Sequence, residues 1–321
     1  MGFSSMIRQG AGTVFLDGGL NLISRLGKLH PHARRIAKGI EITRNIPYGD
    51  AGKSHLLDVY SPTKTDAPHP VVIYVHGGGF RILSKETHWM MGHAFASRGY
   101  LVFNINYHLA PKHPYPTALQ DVAKAVRWVK DNAHTYGGDP TNISFAGESA
   151  GANLVTAYTL ATCYERPEPW AQDIYQDNIQ PKTVMPACGI FQVSDPGRIR
   201  RRKPQISNLV GDRINQVCTS YLGQELEEIK EGDFGLADPL MMLESQEKPI
   251  RALPDFFLTC GTRDPLLHDT RRLHQALANK GADCDMKIYA GGGHAFHAFV
   301  WKELAKECWR DHFNFLAERT N

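Results

Sequence analysis

The sequence predicts an α/β fold with a mostly parallel central sheet, helices on both faces and a helical cap. Six short apolar runs, rich in β-branched or aromatic residues and closed by Gly, Pro or Asn, have the character of buried strands. Segments of helical period lie between these runs. Strands and helices that alternate at this spacing form parallel sheets, whose ligands bind beyond the carboxyl ends of the strands.

The elements follow from these patterns. The predicted strands are Val71–His76, Leu101–Asn106, Ile143–Ala146, Thr183–Ile190, Phe256–Cys260 and Met286–Tyr289, preceded by an edge strand at His55–Tyr60. The clearest predicted helices are Ala118–Asn132, Gly151–Cys163, Leu266–Lys280 and Phe299–Ala317.

Two stretches interrupt the alternation. Residues 1–45 carry a basic amphipathic pattern, and residues 195–250 are polar and include the basic run Arg198–Lys203. We expect residues 1–45 to form an N-terminal cap segment and residues 46–321 to form the α/β domain, with 195–250 as a cap insertion. A membrane-surface or partner-binding role stays open as the alternative, and the role of the basic run is not assigned.

Composition and charge exclude several classes of protein. The 321 residues are 42% hydrophobic and 21% charged, as expected for one globular domain. The net charge of +3 comes with no motif that reads nucleic acid, so we expect no nucleic-acid partner. No apolar run reaches membrane-spanning length, and the first residues lack the unbroken apolar region of a signal peptide. We therefore expect no stable membrane anchor.

The six cysteines point to a reducing environment. They are scattered, with no C-x-x-C pair and no His/Cys cluster at zinc spacing. This pattern favours reduced, mostly buried thiols, a cytoplasmic location and no bound metal.

The most informative stretch is Ile143–Asn153, in which a strand enters G-E-S-A-G and then a helix. Glycines on either side of Ser149 permit a very sharp strand-to-helix turn that exposes the serine hydroxyl above the sheet. Ser149 is therefore the candidate nucleophile. The alternative is a glycine-rich turn with a helix-capping serine.

A serine nucleophile needs donors that stabilise the developing oxyanion. The run HGGGF, from His76 to Phe80, ends a predicted strand with residues whose N–H groups can approach a substrate closely. We assign the backbone N–H groups of Gly78, Gly79 and Ala150 as the oxyanion hole. His76 and Gly77 are expected to organise this loop, and a purely structural glycine turn is the alternative.

The serine also needs a base and an acid that orients the base. Asp264 follows the Phe256–Cys260 strand and is the candidate acid, although Asp before Pro is also a common helix cap. The base should follow the next strand, where His294 and His297 stand in G-G-G-H-A-F-H-A-F. Loop placement favours His294 as the catalytic base, and a packed or capping role suits His297.

With HGGGF, GESAG, D-P-L and H-A-F in this order, residues 55 to 320 resemble the hormone-sensitive-lipase-like branch of the α/β-hydrolase fold. This branch contains the bacterial family IV esterases and the arylacetamide-deacetylase-like proteins. Two further stretches, Tyr107–Pro116 and Tyr136–Pro140, are similar to its Y-R-L-A-P-E-x-x-F-P and G-G-D-P motifs. The resemblance implies a carboxylesterase with the triad Ser149, Asp264 and His294, a largely N-terminal cap and no cofactor.

The chain departs from the family at four positions. His108 and Lys112 stand where the family usually has Arg and Glu, Glu148 replaces its commoner Asp, and Ala152 replaces a Gly. None of these changes removes a catalytic group, but the first two alter a pair that could brace the loop. Glu148 is expected to point away from the reaction and to have a supporting role.

The function expected from the resemblance is hydrolysis of short-to-medium acyl esters through an acyl-enzyme. The partner is then a small-molecule ester, and family members often form homodimers through the last strand and helix. Arylformamidase-like amide or formamide hydrolysis is the alternative enzyme class. A non-catalytic small-molecule receptor is disfavoured, because family receptors have lost the catalytic histidine and this chain keeps a histidine at that position.

Overall fold

The structure, a computed structural model, describes residues 37–63, 68–225, 227–228 and 235–320. The strands are β1 Ile40–Pro47, β2 Leu56–Pro62, β3 His69–Val75, β4 Leu101–Ile105, β5 Gly138–Glu148, β6 Thr183–Ala187, β7 Asp255–Gly261 and β8 Cys284–Tyr289. They form one sheet in the order β1-β2-β4-β3-β5-β6-β7-β8. Strand β2 pairs antiparallel with both of its neighbours, and the strands from β4 to β8 are parallel.

Helices cover both faces of this sheet. They are α1 Trp89–Ala96, α2 Thr117–Asn132, α3 Ala150–Cys163, α4 Pro169–Asp177, α5 Gly197–Arg202, α6 Asn208–Leu222, α7 Pro239–Glu244, α8 Leu267–Asn279 and α9 Glu303–Thr320. Single-turn 3₁₀ helices lie at Gly52–His55, Ala133–Tyr136, Gly235–Ala237 and Phe296–Ala298. Among the described residues, no helix is both long enough and apolar enough to cross a bilayer.

The core is divided by the sheet into two apolar layers. On β3, Val71, Ile73 and Val75 face the layer that contains α2, α3 and α8. Val72 and Tyr74 face the opposite layer, which contains α1 and α9. Successive strand side chains point to opposite faces, so a run that is apolar at every position must be covered on both sides. The prediction of a parallel sheet between two helical layers is confirmed.

Two sequence predictions about the N-terminal part need correction. The strand predicted at His55–Tyr60 is present as β2. It does not lie at the edge of the sheet, because β1 lies outside it and pairs with it antiparallel. Residues 40–45, which we expected in the cap segment, belong to β1. Most side chains of β1 are at least partly exposed, so the strand lacks the apolar run that marks a buried strand. Residues 1–36 of the expected cap segment lie outside the described residues.

Candidate active site

Ser149 occupies a sharp turn between β5 and α3. Its backbone is left-handed, with φ at 55° and ψ at −113°, an arrangement that stores strain and projects the side chain above the sheet. A Cβ atom on Gly151 would lie 2.0 Å from the Val75 carbonyl oxygen, and one on Gly147 would lie 2.7 Å from the carbonyl carbon of Gly151. Only glycine therefore fits at the two positions that flank the turn.

Asp264 follows β7 and is completely buried. Its Oδ1 accepts the Leu266 N–H at 2.8 Å, and its Oδ2 lies 2.9 Å from Nδ1 of His294. The Leu266 N–H lies at the start of α8, so Asp264 also makes the bond expected of a helix-capping side chain. The carboxylate is thus held by one backbone donor through Oδ1 and directed at the histidine through Oδ2.

His294 connects the acid to the serine. Its Nδ1 donates to Asp264, which leaves Nε2 free to accept, and this Nε2 lies 3.0 Å from Ser149 Oγ. Desolvation lowers the pKa of His294, but the charge and hydrogen bond of Asp264, together with Glu148, raise it above its ordinary value. The imidazole is thus fixed in the tautomer that can take a proton from Ser149.

His297 lies in a different environment. It belongs to the 3₁₀ helix Phe296–Ala298 and is buried, with Nε2 3.8 Å from Glu148 Oε2. Its backbone carbonyl accepts the indole N–H of Trp309. The structure therefore brings His294, and not His297, to the serine hydroxyl.

The HGGGF loop lies beside the serine with its donors available. Gly78 and Gly79 have φ values of 111° and 60°. Within the described ranges, no backbone acceptor is bonded to the N–H groups of Gly78, Gly79 or Ala150. Ala150 is the first residue of α3, where N–H groups have no partner inside the helix. These three N–H groups are therefore free of backbone acceptors in the described part of the chain, and their service as an oxyanion hole stays a prediction.

Gly78→Ala is expected to damage both folding and the oxyanion loop. A Cβ atom there would lie 2.1 Å from the Ile82 carbonyl oxygen, and the left-handed backbone adds roughly 1–3 kcal/mol of strain. The free energy of unfolding in urea and kcat should both fall. Gly99→Ala is the matched control, because Gly99 has φ at 94° but nothing within 4 Å of an added methyl group. An unchanged kcat in Gly78→Ala would contradict the assignment.

His76 and Gly77 make contacts within and beside the HGGGF loop. The imidazole Nδ1 of His76 donates to the Gly77 carbonyl at 2.7 Å, and its ring stacks on Tyr107. Burial, followed by the neighbouring His88, lowers the pKa of His76 to about 3, so the ring is neutral. The Gly77 N–H donates to Glu148 Oε1 at 2.9 Å.

His108, which stands where the family usually has Arg, is held by a buried carboxylate. Asp121 on α2 lies 2.7 Å from both His55 Nε2 and His108 Nδ1. His55 Nδ1 accepts the Ala51 N–H, so its Nε2 carries the proton that goes to Asp121. The two imidazoles and the carboxylate lie close enough together to bind one metal ion. Each imidazole, however, is already hydrogen-bonded to the Asp121 carboxylate. The involvement of His55 was missed in the sequence, since its partners are distant along the chain.

Comparisons with known proteins identify the family to which the chain belongs. Residues 72–298 match a family described by its α/β-hydrolase fold, and the chain belongs to that family. It is 27% identical over 274 residues to esterase LipQ of Mycobacterium tuberculosis, covering 84% of this chain and 59% of LipQ. It is 27% identical over 275 residues to acetyl esterase of Salmonella schwarzengrund, covering 85% of this chain and 78% of that protein. The chain thus spans less than two thirds of the length of LipQ.

A solved esterase from the bacterial hormone-sensitive lipase family has the same fold. Its TM-score is 0.69 at 24% identity, covering 88% of this chain and 86% of that structure. The sequence prediction of an α/β hydrolase is confirmed.

Proposed function

We propose that the protein is a carboxylesterase that acts through Ser149, His294 and Asp264. The observation that carries this proposal is a pair of linked hydrogen-bond contacts. Ser149 Oγ lies 3.0 Å from His294 Nε2, and His294 Nδ1 lies 2.9 Å from Asp264 Oδ2. The three residues come from three different loops at one edge of the sheet. The esterase names of the two aligned relatives favour esters as the substrate class.

The reaction proceeds in two acyl-transfer steps. His294 takes the proton of Ser149 as the hydroxyl oxygen attacks the ester carbonyl, and Asp264 stabilises the imidazolium. The N–H groups of Gly78, Gly79 and Ala150 hold the oxyanion. The imidazolium then protonates the departing alcohol. Water, activated by the same histidine, cleaves the acyl-enzyme and regenerates Ser149.

The pH profile of kcat/KM should report the titration of His294. Because the base must be neutral, activity should fall as pH drops through this pKa, with a midpoint above the ordinary imidazole value. Asp264→Asn removes the charge that raises the pKa, so the midpoint should move to lower pH in the residual activity. A wild-type midpoint at or below the ordinary value would contradict this assignment.

The cap insertion favours short-to-medium acyl chains. Tyr221 of α6 stacks on Phe80 with ring centroids 3.6 Å apart, and a Cβ atom on Gly79 would meet Val217 at 2.6 Å. Lys203, next to α5, has its Nζ 3.5 Å from the Asp264 carbonyl oxygen. The insertion therefore packs on the oxyanion loop and the acid loop, and we propose that it limits the length of the acyl group.

The cytoplasmic location belongs to the same proposal. All six cysteines are free thiols, and only Cys284 is more than slightly accessible, which suits a reducing compartment. We also propose a homodimer that forms through β8 and α9. The sedimentation coefficient of the purified protein tests this oligomeric state.

The deciding experiment is hydrolysis of p-nitrophenyl esters from acetate to palmitate, together with labelling by a serine-directed phosphonate. We expect turnover that declines with chain length and labelling of Ser149. A folded protein that cleaves formamides or amides but no ester would support the arylformamidase-like alternative. Binding of small molecules with neither turnover nor labelling would support the receptor.

A further inference from the structure

The carboxylate of Glu148 joins three parts of the site that are distant in sequence. Glu148 ends β5 directly before Ser149 and is 3% exposed. Its Oε1 accepts the Gly77 N–H at 2.9 Å and lies 2.5 Å from His88 Nε2. Its Oε2 lies 3.8 Å from His297 Nε2 and has no hydrogen-bond partner within the described residues. One buried side chain thus contacts the oxyanion loop and two histidines.

The contact between Glu148 and His88 requires a shared proton. His88 Nδ1 lies 3.0 Å from the Ser84 carbonyl oxygen, which can only accept, so Nδ1 carries a hydrogen. The Nε2 of a neutral His88 then has a lone pair, and at 2.5 Å it would face a lone pair of Glu148. These atoms can approach so closely only when one proton lies between them.

The oxyanion loop rests directly on this carboxylate. A Cβ atom on Gly77 would lie 2.9 Å from the Glu148 carbonyl oxygen and 3.0 Å from its Oε1. Gly77 is followed at once by Gly78 and Gly79, whose N–H groups are the proposed donors. Because the Gly77 N–H also donates to this carboxylate, we expect a change in the carboxylate position to shift the backbone that leads to the oxyanion hole.

We propose that Glu148 is a positioning residue that sets the oxyanion hole by holding Gly77 and sharing a proton with His88. This inference rests on the proposed function, because the oxyanion hole matters only if Ser149 performs acyl transfer. Of the two neighbouring histidines, His297 lies beside the other carboxylate oxygen, at 3.8 Å, while His294 contacts the serine.

Glutamine cannot replace Glu148 in this arrangement, although it has the same shape. Burial lowers the pKa of His88 to about 4, against the raising effect of the Ser84 hydrogen bond and with a further lowering by His297. Beside an uncharged glutamine the ring is therefore neutral. An amide oxygen at the Oε1 position would accept from Gly77 but would repel the lone pair of His88. An amide nitrogen there would donate to His88 but would oppose the Gly77 N–H.

The test compares Glu148→Gln with wild type in kcat, KM and affinity for a trifluoromethyl ketone, which forms a tetrahedral adduct with serine. Loss of oxyanion positioning should lower kcat by roughly 10²-fold, as removal of one such donor does, with KM changed far less. Ketone affinity should fall with kcat, since both depend on the oxyanion. Wild-type values of kcat and ketone affinity would overturn the proposal.

Two further variants separate positioning from general damage. His88→Asn keeps a donor near Ser84 but removes the Nε2 lone pair, so the Glu148→Gln/His88→Asn double variant should recover activity several-fold over Glu148→Gln. Asp238→Asn is the matched control, because Asp238 is a buried carboxylate that accepts the backbone N–H groups of Val193 and Ser194 and none from the oxyanion loop. It should lose stability without the same loss of kcat. Equal losses of kcat in Glu148→Gln and Asp238→Asn would overturn the proposal.

A measurement without turnover keeps the two proposals distinguishable. The shared proton should give a far-downfield proton NMR signal in wild type and in Ser149→Ala that disappears in Glu148→Gln and His88→Asn. Its absence from wild type overturns the role of Glu148 even if esters are cleaved. A protein that shows the signal but cleaves no ester keeps the Glu148–His88 contact and rejects the proposed function.

Discussion

Ser149→Ala is expected to reduce kcat for a p-nitrophenyl ester by about 10⁶-fold, the loss seen when a catalytic serine is removed from a triad. The reason is geometric as well as chemical. Ser149 Oγ is the atom that His294 Nε2 reaches at 3.0 Å, so alanine removes the only group that can form the acyl-enzyme in the proposed mechanism. Initial rates of nitrophenolate release give kcat, and phosphonate labelling should be lost in parallel.

Ser144→Ala is the matched control for this experiment. Ser144 lies on the same strand, β5, is buried and accepts a hydrogen bond from the Thr183 hydroxyl at 2.9 Å. Its removal should alter stability slightly and leave kcat unchanged. Alanine also relieves none of the backbone strain at position 149, so circular dichroism and melting should show both variants folded. Retained turnover in folded Ser149→Ala would reject the proposed mechanism.

The elements that are determined by a local sequence pattern could be predicted from the sequence alone. The run around Ser149 combines a buried strand, two flanking glycines and a fully buried helix, and each of these features is visible in the residues themselves. Asp264 and His294 could be selected because each follows a strand whose carboxyl end must lie at the same edge of the sheet. Their mutual distances follow from the parallel order of β5, β6, β7 and β8.

The features that escaped sequence analysis depend on tertiary contacts. Strand β1 is an exposed edge strand, so its pattern is too polar to stand out, and it became visible only through its pairing with β2. His88 precedes α1 in a segment with no catalytic motif, yet its ring reaches Glu148 at the end of β5. No spacing rule connects such residues, because the intervening chain crosses the sheet between them.

His294→Ala is expected to reduce kcat about as much as Ser149→Ala, by about 10⁶-fold, because the serine loses its base and the alcohol loses its proton donor. His297→Ala should cause a far smaller loss, since the nearest carboxylate oxygen, Glu148 Oε2, is already 3.8 Å away and the triad is untouched. Parallel kcat measurements on the two variants compare residues of the same type, one in a loop and one in the adjoining 3₁₀ helix.

The double variant Ser149→Ala/His294→Ala adds a test of whether the two residues act as one unit. If His294 works only by activating Ser149, its removal from the Ser149→Ala protein should cost almost nothing further, because the interaction is already lost. Additive losses would mean that His294 acts independently of the serine. A large loss in His297→Ala with an active His294→Ala would reverse the assignment of the two histidines, and the 3.0 Å contact would then have no catalytic meaning.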